Sequence, residues 1–280
     1  MPKMICAIRL SAAFEGFVIN LVCFCKFITL LATIQQLMSY FQINKIDAIG
    51  STNSALKDSY QQGVLKHGDV LWALDQTQGK GQREAKWMSE PNKNLTFSLF
   101  VRHDELSIQT PFQLNCLVAL SLINTLKHFT IPAVTIKWPN DILSENKKLC
   151  GVLIENLYRG AQLQASIVGI GLNVNQENFG ELSRASSMRL CSGVQFDLKE
   201  VLDRLLAEIE KHIKGASSYS ILREQYNQAL FGRNESRLFR KENQDFNATI
   251  VGVNQEGYLE LKNTKGVSSL HRLKEIEWVY

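Results

Sequence analysis

Residues 137–151 read Lys137-Trp138-Pro139-Asn140-Asp141-Ile142-Leu143-Ser144-Glu145-Asn146-Lys147-Lys148-Leu149-Cys150-Gly151. Val134, Ile136 and Trp138 alternate as one face of a strand does, and Pro139 to Asp141 carry turn chemistry that stops it. A second apolar run follows at Leu149, Val152, Leu153 and Ile154. Lys137 and Lys148 then fall near opposite ends of a hairpin-like unit and can converge on one pocket, which suits a site that handles anions. An ordinary hairpin with solvated lysines satisfies the same residues, because lysine is mostly exposed.

Outward from this stretch the chain alternates strands and helices. Ile43–Ile49, Val70–Leu74 and Leu95–Val101 read as strands, and Ser51, Thr52 or Asn53 can cap a helix through Ala55, Leu56 and Tyr60. Thr110-Pro111 opens a helix whose buried stripe is Leu114, Leu117, Val118, Leu122 and Leu126. Asp197 caps another that carries Leu198, Val201, Leu202, Leu205, Leu206, Ile209 and Ile213 on one face and ends at Gly215. After about Gly232 the pattern changes to short strands at 236–239, 246–253, 258–261, 267–270 and 275–279, with turns at Asn254–Gly257 and Asn263–Gly266. Such a segment has the size of an SH3-like β-barrel. The division expected is therefore 38–231 for the larger domain and 232–280 for the barrel.

At 280 residues, 45% hydrophobic and 21% charged, the chain can bury one large core and a small satellite. A net charge of +4 with scattered cations argues against nucleic acid as the main partner. Six cysteines (Cys6, Cys23, Cys25, Cys116, Cys150, Cys191) show no Cys-x-x-Cys pair, which fits thiols in a reducing cytoplasm. The five histidines lie far apart and form no local metal motif. Residues 1–37 are apolar, but Asn20 and Lys26 interrupt the run from Phe17 to Ile34. A mid-helix lysine costs roughly 2.5–3.5 kcal/mol on insertion, so no membrane span is expected. Met38 is the expected natural start, with residues 1–37 an upstream extension.

Two glycine-containing stretches complete the candidate site. The loop at 75–94 contains Gly79 and Gly81 among Lys80, Arg83 and Lys86, followed by the flat indole of Trp87. Backbone N–H groups at glycines can cradle a phosphate, although a plain hairpin tip needs the same residues. Neither a P-loop nor a three-glycine dinucleotide fingerprint is present. Val168-Gly-Ile-Gly-Leu-Asn-Val-Asn175 places glycines within a strand, the mark of a bulge or of close approach by a ligand or another chain.

Ser51-Thr52-Asn53, Gln76 to Trp87, Lys137-Trp-Pro-Asn-Asp141, Lys148-Leu-Cys-Gly151 and Gly169-Ile-Gly-Leu-Asn173 occur in the order and spacing of the biotin protein ligases, which residues 40–280 resemble. The resemblance implies an α+β fold, with a mixed, largely antiparallel sheet, helices on one side and an SH3-like barrel after it. It also implies a reaction: biotin is activated by ATP as biotinyl-5′-adenylate, and the biotinyl group passes to one lysine of a biotin carboxyl carrier protein. Mg²⁺ is expected with ATP, without identified ligands. By the resemblance Lys148 contacts the biotin carboxylate and α-phosphate, Lys137 supports the adenylate, and Lys80, Gly81, Gln82 and Arg83 close over it. Ser51, Thr52, Asn53 and Gln76 match positions that hold the ureido ring. Trp87, Asn140 and Asn173 match adenylate-side positions, and Gly151 and Gly169 permit close approach.

The chain departs from the family where Lys80 and Gln82 replace arginines and Glu84 stands at a common glycine. Ligases that double as repressors carry a DNA-binding domain of about sixty residues before the core, so no operator binding is expected here. Homodimerisation through sheet edges occurs in the family. A lipoate or octanoate ligase of the same superfamily is the nearest alternative, and a non-catalytic adaptor a more distant one.

Overall fold

The computed structural model describes residues 40–279 apart from 83–84, 107, 109, 216–217 and 274; the N-terminal extension and Arg83 lie outside the described residues. Residues 43–280 make one compact unit.

Its main layer is a seven-stranded sheet. The strands are β1 (Gln42–Ile49), β2 (Asp69–Gln76), β3 (Leu95–Arg102), β4 (Val134–Lys137), β5 (Asp141–Ser144), β6 (Lys147–Arg159) and β7 (Gln162–Leu172), in the order β1-β2-β3-β7-β6-β5-β4. From β2 to β4 every neighbouring pair is antiparallel. The central strand β3 is buried at seven of its eight positions, which is why it reads as a nearly continuous apolar run.

Helix α1 (Thr52–Gln61) packs on β3, β7 and β2. Helix α2 (Pro111–His128) begins as expected: the Thr110 hydroxyl accepts from the Gln113 backbone N–H at 3.2 Å, with Pro111 in the first turn. It is buried nearly all round because α4 (Leu198–Lys214), α5 (Tyr219–Gln228) and the sheet surround it. The α4 stripe faces inward, and Asp197 caps it by accepting from Glu200 N at 2.8 Å. A short helix, α3 (Met188–Ser192), completes the set.

The C-terminal strands are β8 (Ser236–Lys241), β9 (Gln244–Val253), β10 (Leu259–Asn263), β11 (Ser268–His271) and β12 (Glu277–Val279). They form a separate antiparallel sheet, β11-β10-β9-β8-β12, in which the last strand returns beside the first, as in an SH3-like barrel. Both expected turns are built by asparagine. The side-chain Oδ1 of Asn254 accepts from the Glu256 and Tyr258 backbone N–H groups, and that of Asn263 from those of Lys265 and Val267. Among the described residues no helix is long and apolar enough to cross a membrane.

Three elements were not legible as such. The turn at Pro139–Asp141 gives way directly to strand β5 at Asp141–Ser144, which is joined to β6 by Glu145 and Asn146, both at positive φ (48° and 65°). That is the backbone of a two-residue hairpin turn, here without the glycine that usually signals it. Helices α3 and α5 are short or weakly patterned, and their packing on neighbours carries them.

Candidate active site

The cleft lies over the middle of the seven-stranded sheet, and its floor is made of glycines. Register pairs Thr96 with Gly171, Ser98 with Gly169, Gly151 with Gly171 and Leu153 with Gly169. Gly151, Gly169 and Gly171 therefore share one face on adjacent strands. The space above them is filled by other groups. A Cβ at Gly169 would fall 2.3 Å from Asn53 Oδ1, and one at Gly171 2.3 Å from Trp87 Cε2. Only glycine leaves room for both neighbours.

Hydrogen bonds set one wall. Gln76 Oε1 accepts from the Thr52 backbone N–H at 2.8 Å and lies 3.0 Å from Thr52 Oγ1, so the Gln76 amide nitrogen is turned away from that bond. Ser51 lines the cleft, and its hydroxyl makes no capping bond to α1. Ser98 Oγ stands 2.7 Å from Thr52 Oγ1 and 2.5 Å from Asn53 Oδ1. Asn53 Nδ2 donates to Glu155 Oε2 at 2.8 Å and to Leu153 O at 3.4 Å. Ser51 precedes α1, Thr52 and Asn53 begin it, Gln76 ends β2, Leu153 and Glu155 lie in the middle of β6, and Ser98 sits on β3.

The opposite wall carries the charge. Lys148 Nζ is 2.7 Å from Asp141 Oδ1 and 5.7 Å from the Trp87 ring centre. A one-residue irregularity puts it there: Ile142 pairs with Cys150, but Leu143 pairs with Lys148, leaving Leu149 as the extra residue. Backbone bonds from Lys148 N to Arg184 O (2.7 Å) and from Ser186 N to Lys148 O (2.9 Å) hold this bulged segment. The turn before Asp141 is pinned as well. Pro139 O accepts from Asn115 and Tyr226, Trp138 Nε1 donates to Gly257 O, and Asn140 Nδ2 donates to Val152 O at 2.8 Å.

The glycine loop closes the third side as a small hairpin. Gly81 N donates to Ala85 O at 2.7 Å and Trp87 N to Gly79 O at 2.9 Å, so Lys80, Gly81, Gln82 and Trp87 all line the cleft.

Of the residues expected from sequence, Ser51, Thr52, Asn53, Gln76, Lys80, Gly81, Gln82, Trp87, Asn140, Lys148, Gly151 and Gly169 meet at this cleft. Lys137 does not line it. It stands opposite Asp141 in the β4–β5 register and lines an adjoining cavity with Trp278, sharing Gln82, Asn140 and Asp141 with the cleft. Burial pulls its pKa down, and Asp141 opposes the shift. Asn173 is a brace: its Nδ2 donates to Ser186 O at 2.9 Å, and its backbone N–H to Leu149 O at 2.8 Å, on either side of the Lys148 segment. Asp141, Gly171, Ser98 and Glu155 were not assigned roles from sequence. The first two lie within quoted motifs, whereas Ser98 and Glu155 reach Asn53 across 45 and 102 residues, with no local signal. Burial pushes the Cys116 and Cys150 thiols up, which keeps them protonated and unsuited to nucleophilic work.

A bare-backbone floor, a polar amide wall and a held lysine define a site for a small acid that must lie close to an anion, the arrangement of an acid-activating ligase. Residues 46–173 match the Biotin/lipoate A/B protein ligase family, so this part of the chain carries a domain of that family. It is 29% identical over 234 residues to the bifunctional ligase/repressor BirA of Bacillus spizizenii, covering 80% of this chain and 70% of that one. To the biotin--[acetyl-CoA-carboxylase] ligase of Mycobacterium tuberculosis it is 29% identical over 175 residues, 61% of this chain and 64% of the relative. Among solved structures, the biotin protein ligase of Aquifex aeolicus in complex with biotin and ATP superposes with a TM-score of 0.72 at 27% identity, covering 84% and 97% of the two chains.

Proposed function

We propose that this chain is a biotin protein ligase that joins biotin to ATP as biotinyl-5′-adenylate and then biotinylates one lysine of a biotin carboxyl carrier protein. The observation that carries this reading is the placement of Lys148, clamped by Asp141 at 2.7 Å, beside the glycine floor and opposite the amide wall. In the first step a biotin carboxylate oxygen attacks the α-phosphorus and the bond to pyrophosphate breaks. Two anions must approach, and a fixed cation in a partly desolvated cleft offsets their repulsion and the charge that develops on the phosphoryl oxygens. In the second step the carrier lysine amine attacks the acyl carbon, AMP leaves, and the amine loses a proton.

Lys148 supplies the cation and Asp141 orients it. Ser51, Thr52, Asn53 and Gln76 hold the ureido ring, since the wall offers both hydrogen-bond acceptors and donors. Lys80, Gly81, Gln82 and Arg83 form the closing loop, and Trp87 and Asn140 border the nucleotide. Lys137, one strand beyond Asp141, adds positive potential from the adjoining cavity, and Asn173 acts through the Lys148 segment. Mg²⁺ would arrive on the ATP phosphates. Such an ion keeps several of its waters and is held mainly through phosphate oxygens and one or two carboxylates.

The same proposal divides the chain into catalytic residues 38–231 and a barrel at 232–280. It sets the reaction in the cytoplasm, with the carrier protein as partner, without nucleic acid or membrane, and with homodimerisation through sheet edges. Biotin-dependent exchange of labelled pyrophosphate into ATP tests it, with Lys148→Ala as control. Exchange driven by lipoate in place of biotin would select the lipoate-ligase alternative, and exchange with neither acid would refute the ligase reading.

A further inference from the structure

Glu155 lies outside the cleft lining proper, on the flank of β6, yet its Oε2 holds the Asn53 amide at 2.8 Å. Both hydrogens of Asn53 Nδ2 are engaged, one by Glu155 and the other by Leu153 O at 3.4 Å. That fixes which end of the amide is which. Asn53 Oδ1 turns toward Ser98 and lies over Gly169 in the cleft lining; the Ser98 hydroxyl engages it at 2.5 Å, and an amide oxygen can accept a second hydrogen bond. A relay therefore runs from Thr52 through Ser98 and Asn53 to Glu155, and ends at Lys57, whose Nζ is 3.6 Å from Glu155 Oε1.

We propose that Glu155, bonded directly to the Asn53 amide while Ser98 engages the amide's other end, is a positioning residue that sets specificity for the ureido end of the acid. Held this way, Asn53 presents an acceptor to the cleft, and a ureido N–H is the group an acceptor selects. Were the amide to turn over, the same position would present N–H and repel that donor. The Lys57 contact contributes little by itself: both partners are partly exposed, and such pairs are screened. The carboxylate matters here as an acceptor, and a glutamine can supply one too.

This inference rests on the cleft binding biotin, and the test keeps the two apart. Steady-state pyrophosphate exchange is measured for the unaltered full chain and for Glu155→Ala, Glu155→Gln and Lys57→Ala, varying biotin and ATP separately. Glu155→Ala is expected to raise the biotin KM about tenfold, as for loss of a charge-assisted hydrogen bond, and to leave the ATP KM and kcat within about twofold. Glu155→Gln should restore most of the biotin KM, and Lys57→Ala should match the unaltered chain. An unchanged biotin KM in Glu155→Ala would overturn the proposal. So would a parallel change in both KM values and kcat, or a Glu155→Gln protein no better than the alanine form. Absence of biotin-dependent exchange in the unaltered chain would overturn the underlying reading of the cleft.

Discussion

Alanine placed separately at Gly169 and at Gly171 should separate the two substrates. The new methyl would lie 2.3 Å from Asn53 Oδ1 and 2.9 Å from its Cγ in one case, and 2.3 Å from Trp87 Cε2 and 2.6 Å from Cζ2 in the other. Favourable contact between carbons begins near 3.5 Å, so each neighbour has to withdraw by about 1 Å. The overlaps match, but the neighbours' freedom does not. Asn53 is 4% exposed, sits in the first turn of α1 and is bonded at both ends of its amide, so withdrawal breaks a bond to Ser98 or Glu155. Trp87 lies on the loop hairpin, anchored by its backbone bond to Gly79 O at 2.9 Å, and its indole Nε1 has no hydrogen-bond partner among the described residues to lose. Overpacking costs roughly 1–3 kcal/mol. At tenfold per 1.4 kcal/mol, Gly169→Ala at the upper end raises the biotin KM about 100-fold, and Gly171→Ala at the lower end raises the ATP KM about fivefold. Pyrophosphate exchange with one substrate saturating and the other varied reads both values, and tryptophan emission reports whether Trp87 has moved. If both variants raise the same KM, or Gly169→Ala leaves the biotin KM unchanged, the assignment of the floor to two ligands is wrong.

Lys148→Ala should lower exchange by about 10²–10³, as removal of one preorganised charge-stabilising group does, and a loss below tenfold in the same assay would deny it the central place. Stability should fall as pH drops from 7 toward 5. Burial lowers the pKa of His67, His103, His212 and His271 in the fold, so below about 6.5 the unfolded chain takes up protons first and gains the advantage. Urea midpoints across that range measure it, and a flat or rising midpoint would contradict it. Asp197→Ala removes the α4 cap, costing about 1 kcal/mol, and should lower the melting temperature by about 2–4 °C without altering either KM.

Much of this molecule can be read from its sequence where local chemistry is decisive. Thr110-Pro111 and Asp197 start their helices because a side-chain oxygen there meets an unpaired backbone N–H, and Asn254 and Asn263 make their turns by the same means. The lining residues are visible because they cluster in motifs rich in glycine and lysine. What escapes is whatever depends on register between distant strands. Ser98 is one small polar residue inside an apolar strand, and nothing beside it indicates that Asn53 lies above. Asn173 belongs to a motif, yet nothing in that motif signals that its Nδ2 donates to Ser186 O and ties the end of β7 to the segment that supports Lys148.

The position of Lys148 carries this furthest. Gly151 faces the cleft, and strict alternation along Gly151, Cys150, Leu149 and Lys148 would turn the lysine to the opposite face, toward the core under α2. A charged amine buried there without a partner would neutralise or destabilise the fold. The extra residue at Leu149 reverses the parity: Leu149 enters the core, fully buried, while Lys148 comes back to the face of Asp141 and Gly151, its Nζ 3.3 Å from where a Gly151 Cβ would stand. The bulge therefore meets two demands together, an apolar side chain for the core and a cation for the cleft. The backbone bonds to Arg184 and Ser186, with Asn173 beside them, hold that local break in the ladder in place. Lys137 needs no such device, because its register opposite Asp141 already sets it on that face; it lies on β4, two strands from Lys148, and strand order is why it lines the adjoining cavity instead.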